Sequence, residues 1–295
     1  MTKTAKRTRS VICTILAFLL SVGLTLGFTC TTLALSALSP DFAVRTAVRS
    51  DYSEHLSAEL QEEFISYGNA CNIDHYFFED FFHSGITPEK IDRDTETVLR
   101  EFYAGSVQDS VDTTALRADL LSALYAYATE NGHATGDAAE QVAGNPMYDN
   151  LSLIADELCE IYNAYISVFS MSVFKTASRL LATYRPYAWY GAAAGAVLTA
   201  ISAILIQLAY QKRKNYLRFY LYGCSGAALM LAVAPATALL LQIGNNISLA
   251  SASLYDFATG MLNGVLTAVL LSALLPAALT VILAFLRQSA VRKNR

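Results

Sequence analysis

The sequence predicts an all-α integral membrane protein with four transmembrane helices and a helical extracytoplasmic domain between the first two of them. Of its 295 residues, 54% are hydrophobic and only 16% are charged, and the mean hydropathy is +0.36. A soluble domain carries about 25% charged residues, so an ordinary soluble enzyme is excluded. Long apolar stretches, and a separation of basic from acidic residues along the chain, complete the prediction.

Four apolar stretches are long enough to be transmembrane helices, which need about 20 residues each to cross the hydrocarbon core. Helices are expected because lipid offers no hydrogen-bond partner to free backbone groups. Pro235 and Pro276 lie inside the third and fourth stretches and are expected to kink them, since proline removes one helical hydrogen bond. The four stretches are residues 11–37, 187–210, 217–243 and 260–286.

The basic residues predict which side of the membrane each connecting segment occupies. The two ends of the chain and the turn between the second and third stretches hold 11 of the 21 basic residues and none of the 25 acidic residues, and a twelfth basic residue, Arg218, lies at the start of the third stretch. By the positive-inside rule these segments are cytoplasmic, so both termini face the cytoplasm from a cell membrane. The predicted cytoplasmic segments are 1–10, 211–216 and 287–295, and the extracytoplasmic ones are 38–186 and 244–259.

The first stretch is expected to be an uncleaved signal anchor. It runs from Val11 to Ala37 without a charged residue. The apolar region of a cleaved signal peptide covers only about 7–15 residues, which is much shorter. Cleavage remains an alternative, because Ala34-Leu35-Ser36 resembles the small-residue site at which signal peptides are cut.

Small residues at four-residue spacing predict close packing of the membrane helices. Gly191 and Gly195 form one such pair, and Gly260 and Gly264 form another. Small side chains let helix backbones approach closely, which drives association in lipid. Packing within one chain is the expected use, and a homodimer is the alternative. The interiors of the stretches hold no ionisable residue, which argues against an ion-coupled transporter or a proton channel.

Residues 38–186 are predicted to form an acidic, helical domain. Thr87 and Pro88 are a typical helix start, and Gly68, Gly85 and Gly105 are interpreted as helix stops. The expected helices are Ser50–Tyr67, Asp74–His83, one from Pro88 to the stop at Gly105, one from after Asp112 to Asn131, and a long one from Asp149 to Arg185-Pro186, with a loop at 131–144.

The segment Ile161–Phe174 could be mistaken for a further membrane helix. It is nearly uncharged but contains only 14 residues. That length suits a buried or interfacial helix better than a transmembrane one. A stalk helix continuous with the second transmembrane helix is expected, and a fifth membrane element is the alternative.

The predicted outer domain contains a candidate metal site. His75, Glu79 and His83 follow at four-residue spacing, so they share one helix face, and His55 or Glu59 of the preceding helix could join them. Imidazole and carboxylate are common ligands of zinc and other divalent ions, which would then be the cofactor. The alternative is an amphipathic helix with a solvated polar face and a phenylalanine face that forms core.

Two further features of the predicted outer domain concern its covalent structure and its partners. Cys71 and Cys159 are its only cysteines and could form a disulfide on the oxidising side of the membrane, while two unpaired cysteines are the alternative. The acidic charge of the domain excludes nucleic acid as a partner. The expected partners are the lipid bilayer and either another membrane protein or a second copy of the chain.

The chain resembles two groups of membrane proteins. Its layout is similar to that of small uncharacterised four-span membrane proteins of Gram-positive bacteria. Four segments carry this resemblance, namely Thr87-Pro88-Glu89, Leu99–Gly105, Asp112–Tyr127 and Tyr222–Pro235. The order of one span, a large outer domain and three more spans also looks like ABC-transporter permeases of the division-regulator and macrolide-exporter type.

These features together predict a function without catalysis. The acidic helical outer domain is expected to bind a partner, to sense the envelope or to act as a scaffold. The alternative, implied by the second resemblance, is a permease-like subunit of an ABC-type transporter or envelope regulator. An outer-face metalloenzyme is a third hypothesis, which depends on the candidate metal site.

Overall fold

The computed structural model describes residues 3–108, 110–132, 146–210, 213–246, 248–249 and 251–292. Over these residues every regular element is a helix, so the all-α class is confirmed. Almost all of the predicted loop at 131–144 lies outside the described residues. The α-helices are α1 (Lys3–Leu35), α2 (Pro40–Arg49), α3 (Tyr52–Ala70), α4 (His75–Ser84), α5 (Pro88–Ala104), α6 (Thr114–Glu130), α7 (Pro146–Ile166), α8 (Ser172–Ala209), α9 (Arg213–Leu240), α10 (Ala252–Ser272) and α11 (Leu274–Arg292).

The chain divides into two compact units. The first, called the bundle unit here, comprises Met1–Ala43, Thr183–Ser248 and Ala258–Arg295. The second, called the polar domain, comprises Val44–Ala182 and Leu249–Phe257. The sequence suggested only a connecting loop around residues 249–257, whereas the structure includes this segment in the polar domain.

Four helical segments are long and apolar enough to cross a membrane. In number and order they coincide with the four stretches predicted from the sequence, so the chain has the helices of a multi-pass membrane protein. The segment 161–174, considered above as a fifth membrane element, is not one of them. The four segments are Arg7–Leu35, Ser172–Ala209, Asn215–Leu240 and Ala252–Ser289.

The bundle unit is built around α9. This helix packs against both α1 and α11. Burying apolar side chains between helices excludes voids and gains dispersion contacts, which hold helices together where lipid is as apolar as the core. The buried cluster at the centre consists of Cys13, Ala17, Leu20, Ile206, Phe219 and Cys224.

Glycines allow α1 and α8 to touch through their backbones. A Cβ atom at Gly195 would lie 2.5 Å from the backbone nitrogen of Gly27 and 2.7 Å from the carbonyl oxygen of Gly23. One turn earlier, a Cβ at Gly191 would lie 2.7 Å from the sulfur of Cys30. The predicted use of Gly191 and Gly195 for packing within the chain is therefore confirmed.

The two prolines of the third and fourth stretches behave differently. Helix α9 runs without interruption through Pro235. The fourth stretch, predicted as one helix, is divided at Ala273 into α10 and α11, and Pro276 is the third residue of α11. In a single helix Pro276 could not donate to the carbonyl of Ser272, whereas in the first turn of a new helix no donor is required.

The polar domain is organised around α3, which packs against α4, α5 and α7. Phe64 of α3 is fully buried, and its ring meets Phe78 and Phe82 of α4 edge-on, with centroids 6.2 and 5.3 Å apart. Large buried rings in edge-to-face contact contribute more than their area alone. This aromatic cluster fixes the position of α3, on which the cavity described below depends.

The three glycines interpreted as helix stops have different roles. Gly105 ends α5 with φ of 79°, a left-handed conformation that favours glycine, so this stop is confirmed. Gly68 instead lies inside α3, where a Cβ would run into the ring of Phe78. Gly85 does follow the last residue of α4, and its N–H donates to the carbonyl of Phe81, so this stop is also confirmed. Its φ is −104°, not left-handed, and a Cβ there would lie 2.7 Å from the Phe81 ring. Gly68 and Gly85 thus both make room for phenylalanine rings.

The predicted stalk helix is interrupted. Helix α7 ends at Ile166 and is followed by a 3₁₀ turn, and Met171 is extended, with ψ of 149°, before α8 begins. Ser170 and Ser172 flank the break, and serine side chains favour helix ends over helix interiors. From Ser172 onward α8 is continuous through Pro186, which was expected to mark the start of a transmembrane helix.

The short helix α2 was not predicted from the sequence.

Candidate functional site

One face of α3 forms a wall of a cavity in the polar domain. Tyr52, Leu56, Glu59 and Glu63 follow at three- or four-residue spacing, so their side chains lie on the same side of the helix. The cavity has a volume of about 580 Å³ and is otherwise lined by Glu62, by the chain between residues 164 and 168, and by residues 251–254. The polar domain therefore contains an open cavity with three carboxylates.

Glu59 joins α3 to the first turn of α10. Its carboxylate accepts hydrogen bonds from the backbone N–H of Ser253 at 3.0 Å and from the hydroxyls of Ser251 and Ser253 at 2.8 and 3.0 Å. Ser251 in turn accepts from the N–H of Leu254 at 3.2 Å, the usual N-cap pattern. Free N–H groups make a helix N-terminus positive, so the Glu59 carboxylate stabilises this wall of the cavity.

Tyr52 supplies a hydroxyl to the cavity. The residue is only 2% exposed, and its ring packs against Phe257 with centroids 5.7 Å apart. Burial, together with the charge of Glu59, raises the pKa of Tyr52, so the phenol stays protonated. Within the described residues the Tyr52 hydroxyl has no hydrogen-bond partner, although it belongs to the cavity lining.

The other two carboxylates of the cavity are not neutralised by neighbours. Glu62 and Glu63 are exposed and form no hydrogen bond or ion pair with another described residue. Burial raises the pKa of Tyr165, and the charges of Glu63, Glu59 and Glu62 raise it further. No lysine or arginine is among the lining residues. Such a surface attracts cations and repels anions.

The sequence matches no protein-family model, no curated protein and no solved structure. Function is therefore inferred from the cavity and from the distribution of charge and apolar residues along the chain. A fold alone would in any case not define the function, which resides in particular sites.

The predicted metal ligands do not converge. The Nδ1 atom of His75 lies 2.9 Å from the carboxylate of Asp74, Glu79 is half-buried and His83 is exposed. The described part of the chain contains no group of three or more His, Cys, Asp or Glu side chains that could hold a metal ion. A helix rises about 1.5 Å per residue, so residues eight apart are separated by about 12 Å, too far for ligand bonds of about 2 Å.

The residues that could have joined this metal site have other partners. The Nδ1 atom of His55 lies 2.9 Å from the carboxylate of Asp256, and Glu59 binds the start of α10 as described above. Three of the four phenylalanines of α4 are buried and the fourth packs against Tyr127, as the amphipathic alternative predicted.

The predicted disulfide is not formed, because Cys71 and Cys159 are both free thiols in the structure. Cys71 directly follows α3 and lies beside Tyr67, whereas Cys159 is buried in α7. Burial raises the pKa of the Cys159 thiol, and a hydrogen bond with Thr113 opposes this shift. The two cysteines thus have separate surroundings.

A salt bridge joins α6 to α7 and gives the polar domain a pH-dependent contact. The Arg117 guanidinium donates to both oxygens of Asp156, and its second nitrogen donates to the Ser152 hydroxyl at 2.7 Å. The hydrogen bond from Arg117 lowers the pKa of Asp156, while burial opposes the shift. A carboxyl whose pKa falls on folding stabilises the folded state above its unfolded pKa.

We expect Asp156→Asn to weaken the acid dependence of stability. In the unchanged protein the contribution is lost as pH falls below the ordinary aspartate pKa of about 3.9 and through the lowered folded value. Because both side chains are more than one third exposed, the loss at neutral pH should stay below about 1 kcal/mol. Melting temperatures recorded from pH 7 to pH 3 test this, with the exposed Asp119→Asn as control. An equally steep acid loss in Asp156→Asn would contradict it.

Sequence reasoning missed most of the cavity. Glu59 was considered only as a metal ligand, and Tyr52, Tyr165 and Ser253 were not singled out. A usable signal was present in the polar-aromatic face of α3, where tyrosine, leucine and two glutamates recur at helical spacing. The contribution of residues 251–254 had no signal, because it depends on a contact between residues 192 positions apart.

Proposed function

We propose that this chain is a multi-pass protein of the cell membrane whose polar domain lies on the extracytoplasmic side and binds a partner there, with both termini in the cytoplasm. The observation that supports binding is the open cavity, whose two exposed carboxylates have no counter-charge and whose Tyr52 hydroxyl has no hydrogen-bond partner among the described residues. These groups are available to a ligand that enters the cavity.

The distribution of charge supports the proposed orientation. Basic residues cluster without any acidic residue at the two chain ends and near Arg213, whereas Lys175, Arg179 and Arg185 lie at the opposite end of α8. Positive charge is retained on the cytoplasmic side during insertion. The acidic residues are concentrated in the segments on the opposite side of this arrangement.

The packing of α1 supports an anchor that is retained in the mature protein. Leu20 and Ser21 of α1 are buried, and a Cβ at Gly223 or Gly226 of α9 would collide with them. Loss of α1 by cleavage would expose this complementary surface of α9. The signal-anchor interpretation is therefore part of the proposal.

Accessibility labelling tests the proposed orientation. In a chain with its five cysteines replaced, single cysteines are introduced at Tyr76, which is 64% exposed in α4, and at Lys214. A membrane-impermeant maleimide should label position 76 in intact cells and position 214 only after permeabilisation. Labelling at position 214 in intact cells would refute the orientation.

The second candidate function is a permease-like subunit of an ABC-type transporter or envelope regulator. It is favoured by the order of one membrane-crossing helix, a polar domain and three further crossing helices. If this is correct, an ATPase should copurify in near-stoichiometric amount in mild detergent. Its absence across several detergents and after crosslinking would leave the ligand-binding proposal alone.

A further inference from the structure

We propose that the cavity of the polar domain binds a small organic cation that carries alkylammonium groups. This inference rests on the proposed function, because it names the class of ligand that the polar domain binds. The chemistry could come from a free polyamine or from lysine side chains of a basic peptide. Two independent observations support it, one electrostatic and one concerning a single hydroxyl group.

The electrostatic observation is a set of carboxylates without counter-charges. Glu62 and Glu63 are adjacent in the sequence and Glu59 lies one turn away on α3, so the three charges repel one another. Glu59 is partly compensated by the start of α10, but Glu62 and Glu63 have no partner among the described residues. A cation within the cavity would remove this repulsion.

The second observation is the Tyr52 hydroxyl. Tyr52 is 2% exposed and lines the cavity, and its hydroxyl oxygen, which remains accessible there, has no hydrogen-bond partner among the described residues. An N–H group of a bound ammonium would donate to this oxygen. The Tyr52 hydroxyl thus offers a hydrogen-bond acceptor to a ligand that donates hydrogen bonds.

The remaining lining favours an organic cation over a metal ion. The described residues contain no group of three or more His, Cys, Asp or Glu side chains that could hold a metal ion. Tyr52 and Tyr165 present aromatic rings, which attract ammonium groups, and Leu56 and Val168 offer apolar contact to methylene groups. The volume of about 580 Å³ is in the range of small-molecule sites, about 300–1,000 Å³, and far exceeds that of a single ion.

The test is a calorimetric titration of the full chain in nanodiscs of phosphatidylcholine, which expose both faces of the membrane. Spermidine and trilysine are used as probes, and saturable binding of either one supports the cation site. Tighter binding of spermidine would identify a free polyamine as the ligand, and tighter binding of trilysine would identify a basic peptide. Tyr52→Phe should weaken binding about tenfold or more, the usual effect of losing a hydrogen bond to a charged group. Its melting temperature should not change, since the hydroxyl makes no bond within the described residues.

Charge variants separate a specific site from a general acidic field. Glu62→Gln with Glu63→Gln should weaken binding at least tenfold, whereas the matched pair Glu54→Gln with Glu130→Gln, both exposed and outside the cavity, should not. The proposal would be overturned if the two pairs of substitutions weakened binding equally. It would also be overturned if neither probe bound saturably, or if magnesium at the same concentration competed with the probe. Because the nanodiscs expose both faces of the membrane, the titration does not depend on the outcome of the orientation experiment.

Discussion

Replacing Gly195 by leucine is expected to abolish the native packing of the bundle unit. The first side-chain atom would lie 2.5 Å from the backbone nitrogen of Gly27 and 2.7 Å from the carbonyl oxygen of Gly23. Backbone atoms of a helix cannot move aside as a flexible side chain can, so α1 and α8 would have to separate. Overpacking usually costs about 1–3 kcal/mol, and we expect a larger effect here because backbone is struck directly.

Two measurements test this effect. The first is thermal unfolding in detergent, monitored by the reactivity of the buried cysteines, and the second is the yield of monodisperse protein. The matched control is Ala194→Leu, which adds a larger side chain to the adjacent, exposed position of α8. We expect Ala194→Leu to melt as the unchanged protein does. A Gly195→Leu variant with an unaltered melting temperature would show that α1 and α8 do not touch in this way.

Replacing Phe64 by alanine is expected to be the most damaging truncation in the polar domain. Phe64 is completely buried between Phe78 and Phe82, so alanine leaves a cavity as well as losing transfer free energy. Phenylalanine-to-alanine changes in cores cost about 3–5 kcal/mol. For a domain of this size such a loss lowers the melting temperature by about 6–20 °C.

Limited proteolysis over a temperature series reports on the polar domain apart from the membrane helices. Tyr76→Ala removes an aromatic ring of similar size that is 64% exposed, and it should change the melting temperature little. Phe64→Leu, which keeps most of the volume, should fall between the two. If Phe64→Ala and Tyr76→Ala melted alike, the aromatic cluster would not be the core of the domain.

The starts and ends of several helices could be predicted because their signals are local. Thr87 and Pro88 begin α5, and Gly105 ends it, since proline fits the first turn and glycine fits a left-handed cap. The function of Gly68 could not be read in the same way. Its role is set by the ring of Phe78, which comes from another helix, and a glycine required by a neighbour looks the same as one required by its own backbone.

The candidate site shows the same limit. The spacing correctly placed His75, Glu79 and His83 on one face of α4. Side chains on one helix face can still lie far apart along the helix axis, so they need not reach the same metal ion. The cavity was not predicted because its walls come from distant parts of the chain. Glutamates 59, 62 and 63 gave no hint that Ser251 and Ser253 would complete the wall beside them.

The bond between Glu59 and the first turn of α10 also has a consequence for biosynthesis. Its two ends are 192 positions apart, so most of the chain must leave the ribosome before the polar domain can be completed. Until then Glu59 lacks its serine donors and Tyr52 lacks the ring of Phe257. A chain stalled in translation before Ser251 would display an unfinished domain and should be recognised by quality-control proteases, whereas one released after α10 would already contain a complete cavity.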